Sequence, residues 1–334
     1  MKLNVIVPTY NRAASLKKTL LSLAKAERAP DFEVVVTVVN NNSTDETAQA
    51  VEEMRPHFTD KKLEYLFEAK QGRSNAVNCG ITHAEGGDLI TMIDDDIRVT
   101  LNWFVEIEKI FRRRWNEIDF AGGKILPEWE CENEIPGWIE PLKNGVICWR
   151  DYGDEEWRYT RDTPMLTGGH AVFKASVFKE IGLYSAELGV KGKNLLSCED
   201  DIMFDKLLEA GKNGVYFPQL VVYHYVPKYR VSKNYYRQWC FGAGASWYLM
   251  DVYYKPFDGA KILGVPRWMY KNAFLNLLNR TKAALFGTEE DVLKHEKSIL
   301  VFAGFFHARN LKGGWLDKRL LQSIAKRTVK TAER

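Results

Sequence analysis

Three consecutive carboxylates, Asp94-Asp95-Asp96, follow the apolar run Leu89-Ile90-Thr91-Met92-Ile93. Adjacent carboxylates repel, so a fold that gathers them needs a compensating positive charge. A hard divalent cation supplies it: Mg²⁺ or Mn²⁺ takes one or two carboxylates and completes its shell with phosphate oxygens and water. In an extended segment side chains 94 and 96 share a face and 95 points away. Asp96 is therefore the expected metal ligand, and Asp94 is expected to meet a ribose or a metal-bound water. A solvated acidic turn is the other reading of the triplet. More groups able to do chemistry lie in Thr9-Tyr10-Asn11-Arg12, Asn40 to Asp45, Gly72-Arg73, Gly168-Gly169, Glu199-Asp200-Asp201 and Tyr223-His224.

The elements around these groups follow from hydrophobic periodicity. Leu3 to Pro8, Phe32 to Val39, Leu63 to Phe67 and Asp88 to Ile93 are expected strands. Between them, Ser15 to Ala26 carries leucines at helical spacing, Ser43 to Met54 opens on an expected capping box, Ser43 to Glu46, and Gly72 to Ala84 is expected to be helical. Alternating strands and helices give βαβ units and a mainly parallel sheet. Ligands in such sheets bind beyond the carboxyl ends of the strands. Thr9 to Arg12, Asn40 to Asp45 and Asp94 to Asp96 all fall at such ends, which predicts one shared crevice. From Asp119 to Asp162 the pattern is irregular, as expected of strands and loops flanking a crevice. Ala171 to Leu183 is regular again, Glu199 to Ala210 is an amphipathic helix stopped at Gly211, and Val215 to His224 is a further strand. Beyond Tyr229 the chain reads as helical.

The 334 residues, 46% of them hydrophobic, suffice for one large α/β domain with extensions or two modest ones, and argue against disorder. Five scattered cysteines, Cys79, Cys131, Cys148, Cys198 and Cys240, show no C-x-x-C spacing. They suit neither a disulfide framework nor a zinc site and favour a reducing, cytoplasmic setting. The N-terminus reads as a strand rather than a signal peptide, and no run approaches the roughly 18 apolar residues of a bilayer span. From Lys228 to Arg334 there are 20 Lys/Arg against 8 Asp/Glu, so the preceding part of the chain is net acidic. Two halves of opposite charge suggest two jobs.

Val7-Pro8-Thr9-Tyr10-Asn11-Arg12, Asn41-Asn42-Ser43-Thr44-Asp45, Gly72 to Asn78 and Ile93 to Asp96 occur in this order. They are followed by Gly168 to Phe173, Glu199-Asp200-Asp201 and Tyr223-His224. The ordered set resembles the family-2 glycosyltransferases with the GT-A fold of nucleotide-diphospho-sugar transferases, over roughly residues 1–227. The resemblance implies a catalytic domain at 1–227, with a nucleotide-binding half at 1–119 and an acceptor-binding half at 120–227, and a helical extension at 228–334. It implies that Pro8, Tyr10 and Arg12 shape the nucleotide pocket, that Asn40, Asn42 and Asp45 meet the base, and that Arg73 lies near base or diphosphate. Asp95, beside the metal ligand, is grouped with the donor-binding residues. The family usually has Asp where this chain has Asn40, and an amide both donates and accepts, so the base identity is open.

Transfer to a hydroxyl needs a general base within hydrogen-bond reach of it. In the family's Glu-Asp motif the Asp is the usual base, which assigns Asp200, with Glu199 contacting the acceptor or steadying the loop. Acidic residues also favour a helix N-terminus through its dipole, so capping is the competing reading. His224 is implied as a metal or diphosphate ligand, although a His beside a strand also serves structure. Gly168-Gly169 would let backbone approach the donor sugar or acceptor, or form an ordinary tight turn.

The implied activity is inverting, Mn²⁺- or Mg²⁺-dependent transfer from a nucleotide-diphosphate sugar to a glycan or lipid-linked hydroxyl, as in cell-surface polysaccharide or lipopolysaccharide synthesis. A sugar nucleotidyltransferase, or a membrane-associated carbohydrate-binding protein with a decayed site, are the alternatives. A dinucleotide dehydrogenase is disfavoured because no G-x-G-x-x-G follows the first strand. Between Lys261 and Thr288 there is no acidic residue, while Lys261, Arg267, Lys271, Arg280 and Lys282 accompany Trp268, Phe274, Leu278 and Phe286. Such a helix suits peripheral contact with the inner face of the cytoplasmic membrane, or packing on the catalytic domain with a solvated basic side. No nucleic-acid module is visible.

Overall fold

The computed structural model describes residues 1–84, 86–131, 135–142, 146–190 and 195–310. Four βαβ-type strands come first: β1 (Lys2–Thr9), β2 (Glu33–Asn40), β3 (Lys62–Phe67) and β4 (Leu89–Ile93). The helices α1 (Ala13–Lys25), α2 (Thr47–Met54) and α3 (Arg73–His83) connect them. The strands lie in the order β3-β2-β1-β4, all parallel. The order turns between β1 and β4, the point where α/β sheets open a crevice. Pairing of β1 with β4 stops at Ile6 opposite Met92, whereas β1 continues beside β2 to Thr9. Pro8, which cannot donate to a ladder, sits in this half-paired stretch, where its missing N–H is tolerated.

Beyond β4 the strand direction changes. β5 (Ile97–Val99), α4 (Trp103–Arg114), β6 (Phe120–Trp129), β7 (Trp157–Arg158), β8 (His170–Lys174), α5 (Ala175–Ile181), α6 (Glu199–Glu209) and β9 (Gly214–Val226) follow. Among them β4–β8, β8–β6, β9–β5 and β7–β9 are antiparallel. Parallel pairing thus links the four strands of the first half of the sheet. The second half supplies strands that return toward the crevice from the opposite direction. The core on one side joins Leu16, Leu20 and Leu23 of α1 to Trp103, Phe104 and Phe111 of α4; the other side gathers Val77, Phe120, Phe173 and Tyr216.

The chain divides into two compact units. One comprises residues 1–128, 148–186 and 199–225, and holds the sheet. The other comprises 129–147, 187–198 and 226–334. The sequence pattern places a boundary at 227, and periodicity has no means of seeing that two earlier segments join the later unit. In that second unit α7 (Lys233–Tyr253), α8 (Arg267–Phe286) and α9 (Glu289–Asn310) pack together. A small hairpin, β10 (Lys261–Ile262) with β11 (Val265–Pro266), precedes α8. Close approach of α7 and α9 rests on glycine: a Cβ at Gly244 would lie 2.0 Å from the Val301 carbonyl oxygen, and one at Gly304 2.0 Å from that of Phe241. Glu296 is buried among these helices and accepts from Arg237 at 2.7 Å and Arg280 at 2.9 Å, so its charge is compensated.

Candidate active site

The acidic triplet leaves β4 in a turn whose carbonyls are all satisfied. Ile97 N donates to Asp94 O at 3.0 Å, Ser15 and Thr19 hydroxyls donate to Asp95 O at 2.8 and 2.7 Å, and Tyr225 N donates to Asp96 O at 2.8 Å. Strand alternation does not hold here, because residues 94–96 lie in a turn: Asp95 and Asp96 both turn toward Arg12, and Asp95 is buried beneath the start of α1. There it accepts from Thr9 Oγ1 at 2.8 Å and from Arg12 at 3.0 Å. Burial lifts its carboxyl above the usual range, against the pull of Arg12. Asp95 thus anchors the turn from within.

Asp96 is also buried, with Oδ2 3.0 Å from Arg12 Nη1 and 3.6 Å from His224 Nε2. His224 reaches it by register, because Ile97 of β5 pairs with His224 of β9. Arg12, half-exposed, thus bridges two of the three carboxylates instead of only lining a pocket wall. Among the described residues no three His, Cys, Asp or Glu side chains cluster as a complete metal cage. One carboxylate and one imidazole still fit a Mg²⁺- or Mn²⁺-type ion, which draws its remaining ligands from phosphate and water.

Asp94 faces the other way. Arg73, at the first turn of α3, donates to its Oδ1 from Nε at 2.9 Å and from Nη2 at 2.8 Å. The remaining Nη1 lies 3.5 Å from Glu199 and 3.9 Å from Asp200. Arg73 therefore serves three carboxylates, a location the expectation of base or diphosphate contact did not include. Opposite lies the Gly168-Gly169 turn, brought in because His170 pairs with Ile93. A Cβ at Gly168 would stand 2.1 Å from Asp200 Oδ1, and one at Gly169 2.8 Å from Asp94 Oδ2. Gly168 needs glycine for clearance, not for backbone conformation; at Gly169 the neighbour is the end of the part-exposed Asp94 side chain, which can shift.

Asp200 opens α6. Its Oδ2 accepts from Gly168 N at 2.9 Å, and its Oδ1, buried, accepts no hydrogen bond. A buried oxygen without a donor costs free energy and calls for a partner. Burial raises its pKa, Arg73 and the Gly168 N–H oppose the rise, and Asp94 adds to it. Glu199 is raised by burial and by the Asp200 charge, again opposed by Arg73. Tyr184 lies in the same electrostatic cluster, its phenol kept neutral by burial and these carboxylates. Nearby, Trp103 Nε1 donates at 3.0 Å to His170 Nε2, and burial pushes His170 down to about 3, so its imidazole is neutral.

The loop after β2 is built differently from expectation. Asn40 is buried with both ends of its amide used: Nδ2 donates to Tyr65 at 2.8 Å and Oδ1 accepts from Ser43 N at 2.8 Å. Both bonds shape the loop. Asp45 likewise accepts from Ala13 N at 3.0 Å and from Thr47. Ser43 takes Asn11 N at 3.0 Å and no capping box forms, so the helix begins at Thr47. The exposed Asn42 is left at the loop surface, with φ of 60°. Tyr10 is half-buried at the end of β1.

Asn41 is a positioning residue that the sequence motifs contain without assigning. It is buried, donates to Lys70 O at 2.7 Å and Glu68 O at 3.2 Å, and accepts from Gly72 N at 2.7 Å. These bonds fix the loop that launches α3, and hence Arg73. Asn41→Ala strands several buried groups at about 1–3 kcal/mol each. The expected result is a lower urea midpoint, by about 3 kcal/mol of stability, together with weaker donor binding by calorimetry.

The geometry can be compared with known proteins. The model of glycosyl transferase family 2 matches residues 4–182. A glucosyl-dolichyl phosphate glucuronosyltransferase of Haloferax volcanii is 24% identical over 262 residues, covering 76% of this chain and 79% of that one. A GalNAc(5)-diNAcBac-PP-undecaprenol beta-1,3-glucosyltransferase of Campylobacter jejuni is 34% identical, over 28% of this chain and 29% of its own. Among solved structures, the mannosyltransferase PcManGT of Pyrobaculum calidifontis, in complex with GDP-Man and Mn²⁺, superposes with a TM-score of 0.53 at 18% identity, over 98% of this chain and 85% of that one. Staphylococcus aureus TarS 1–349 gives 0.50 at 17% identity, over 94% and 93%. Fold and sequence together define a glycosyltransferase of the GT-A fold. The chain belongs to glycosyl transferase family 2.

Proposed function

We propose that this enzyme transfers a sugar, with inversion, from a nucleotide-diphosphate donor to a hydroxyl of a lipid-linked or other cell-surface glycan. The observation that carries the reading is Asp200 Oδ1, buried without a hydrogen-bond donor next to the Arg73–Asp94 pair. An acceptor hydroxyl is the donor that this oxygen lacks. Asp200 takes the hydroxyl proton, the C1–acceptor oxygen bond forms, and the bond from C1 to the diphosphate breaks on the opposite face. Glu199 steadies the acceptor side, and Arg73 holds Asp94 toward the donor, where Asp94 meets the ribose. Pro8, Tyr10, Arg12 and Asn42 border the nucleotide, and Gly168-Gly169 lets sugar and backbone approach. A divalent cation held by Asp96 and His224 would neutralise charge on the leaving diphosphate.

The lipid-linked acceptor is supported by the acceptors that the Haloferax and Campylobacter names specify. Among the described residues no helix is long and apolar enough to cross a membrane. Reaching a lipid-linked acceptor then calls for peripheral contact at the cytoplasmic face, for which residues 261–288 are the candidate.

Two measurements test the reading. The anomeric proton of the product, followed by NMR from the first turnover, should show inversion; retention sinks the single-displacement mechanism. Thermal shifts with UDP, GDP, dTDP and CMP sugars should single out one nucleotide diphosphate. At a hundredfold excess over Kd the stabilisation is about 2.7 kcal/mol, and it should shrink when Mn²⁺ or Mg²⁺ is withheld. No shift with any of them overturns the donor assignment.

A further inference from the structure

We infer that the outer face of α8, with the tip of the β10–β11 hairpin, is a docking surface for an anionic lipid bilayer; the inference rests on the peripheral contact proposed for 261–288 and gives it a face and a chemistry. The inner face of α8 is accounted for. Met269, Ala273, Asn276, Arg280 and Ala283 recur every three or four residues, are buried or half-buried, and lie along α9. Arg280 pairs with Glu296 there, and Lys261 of the hairpin pairs with Asp251 at 2.7 Å.

The opposite face has the same spacing and a different character. Phe274, Leu278 and Leu285 lie on it at 61%, 53% and 69% exposure, which is too open for side chains that pack within the chain. Arg267, Lys271 and Lys282 alternate with them, all exposed. Among the described residues these three cations have no carboxylate within ion-pair reach. Inward-facing cations are neutralised, and outward-facing ones are left beside exposed apolar groups. At about 30 Å long, with exposed Phe and Leu side chains interleaved with Arg and Lys and no acid, α8 offers an anionic bilayer apolar anchors and cationic contacts on one face.

The hairpin tip is an independent sign. Leu263 adopts φ of +48° and is 63% exposed, followed by Gly264 at +71°. Such a turn favours Asn or Asp followed by Gly, and a bulky apolar residue in the left-handed region is strained. A strained leucine at an exposed tip is accounted for if it enters an apolar phase. Tyr270 OH donates to Ile262 O at 3.1 Å, so the tip is tied to the first turns of α8.

Charge decides between occupants. A second copy docking symmetrically would set Arg267, Lys271 and Lys282 against themselves with no acid to meet them. The segment 311–334, with seven Lys/Arg and two Asp/Glu, is equally uncomplementary. Anionic headgroups over an acyl layer match both the cations and the apolar groups.

The test is cosedimentation of the full chain with phosphatidylcholine vesicles, with and without phosphatidylglycerol. Binding is expected only to the mixed vesicles. Each cation near such a surface contributes about fivefold to partitioning, so R267Q/K271Q/K282Q should weaken it about a hundredfold. Leu263→Asn should weaken it about tenfold while leaving the melting temperature unchanged or higher, because Asn tolerates this turn. Equal binding of these variants and the native chain overturns the face assignment and leaves peripheral contact standing. No binding by the native chain overturns both; a dimer that Leu278→Ser dissociates overturns the face assignment. Transfer to a water-soluble acceptor, measured alongside, reports the proposed activity separately from the vesicle result.

Discussion

An Asp200→Asn enzyme is expected to bind its donor as the native chain does and to turn it over about 10²–10⁴ times more slowly, the usual contribution of a positioned general base. The substitution is nearly isosteric. Its amide oxygen can still accept from Gly168 N, which is 2.9 Å from Oδ2 in the native site. The clearance that Gly168 provides is untouched. What is lost is the ability of Oδ1 to take a proton. Calorimetry with donor and Mn²⁺ should therefore give an unchanged Kd, while single-turnover transfer collapses. The pH profile gives a second readout. Burial and Asp94 raise the Asp200 carboxyl above its ordinary value near 3.9. A base must be deprotonated to act, so kcat/KM of the native enzyme should fall as pH drops through that raised value. Substantial turnover by Asp200→Asn would move the base elsewhere. Glu199, whose carboxylate lies 3.5 Å from the same Arg73 nitrogen, would be examined next.

How far the sequence carries this site depends on how local each relation is. The strand ends are read from short apolar runs at Pro8, Val39 and Ile93, within one residue of those observed, and the three strands are parallel as expected. Alternation misplaces the triplet: it groups Asp94 with Asp96, whereas in the turn Asp96 joins Asp95 at Arg12 and Asp94 pairs with Arg73. His224 is different. Its distance to Asp96 is set by the register of β5 on β9, and a three-residue strand leaves almost no periodic trace. The same holds for Gly169, placed against Asp94 by the antiparallel pairing of β8 with β4. Helix α4 carries no expectation, although Trp103, Ile107, Ile110 and Phe111 recur at helical spacing and are buried; that signal was present in the residues. Asn40 shows the reverse case. Its motif position points to a ligand, yet its neighbours Tyr65 and Ser43 use both ends of its amide. Side-chain hydrogen bonds of this kind depend on tertiary neighbours and have no pattern along the chain.

Arg73→Gln should be the most disruptive substitution in the site that adds no bulk. The guanidinium lies 2.8 Å from Asp94, 3.5 Å from Glu199 and 3.9 Å from Asp200. Its own side chain is 15% exposed and that of Glu199 9%, so solvent screens this cluster poorly, Asp94 excepted. Removing one partner from a buried ionic cluster costs about 3–5 kcal/mol, because the charges left behind stay desolvated. The sign of the pH dependence follows. Burial already raises Glu199 and Asp200, and Arg73 is the main force holding them down. Without it both carboxyls rise further above their unfolded values. The extra loss of stability is absent below the unfolded carboxylate range and grows as pH increases through the raised folded values. Urea midpoints of native and variant chains should therefore converge at acidic pH and separate toward neutrality. The acid limb of kcat/KM should move to higher pH in the variant, since Asp200 then holds its proton longer. A uniform loss of activity with an unmoved acid limb and a pH-independent stability difference would restrict Arg73 to donor binding. A shifted limb would make it the residue that sets the charge state of the base.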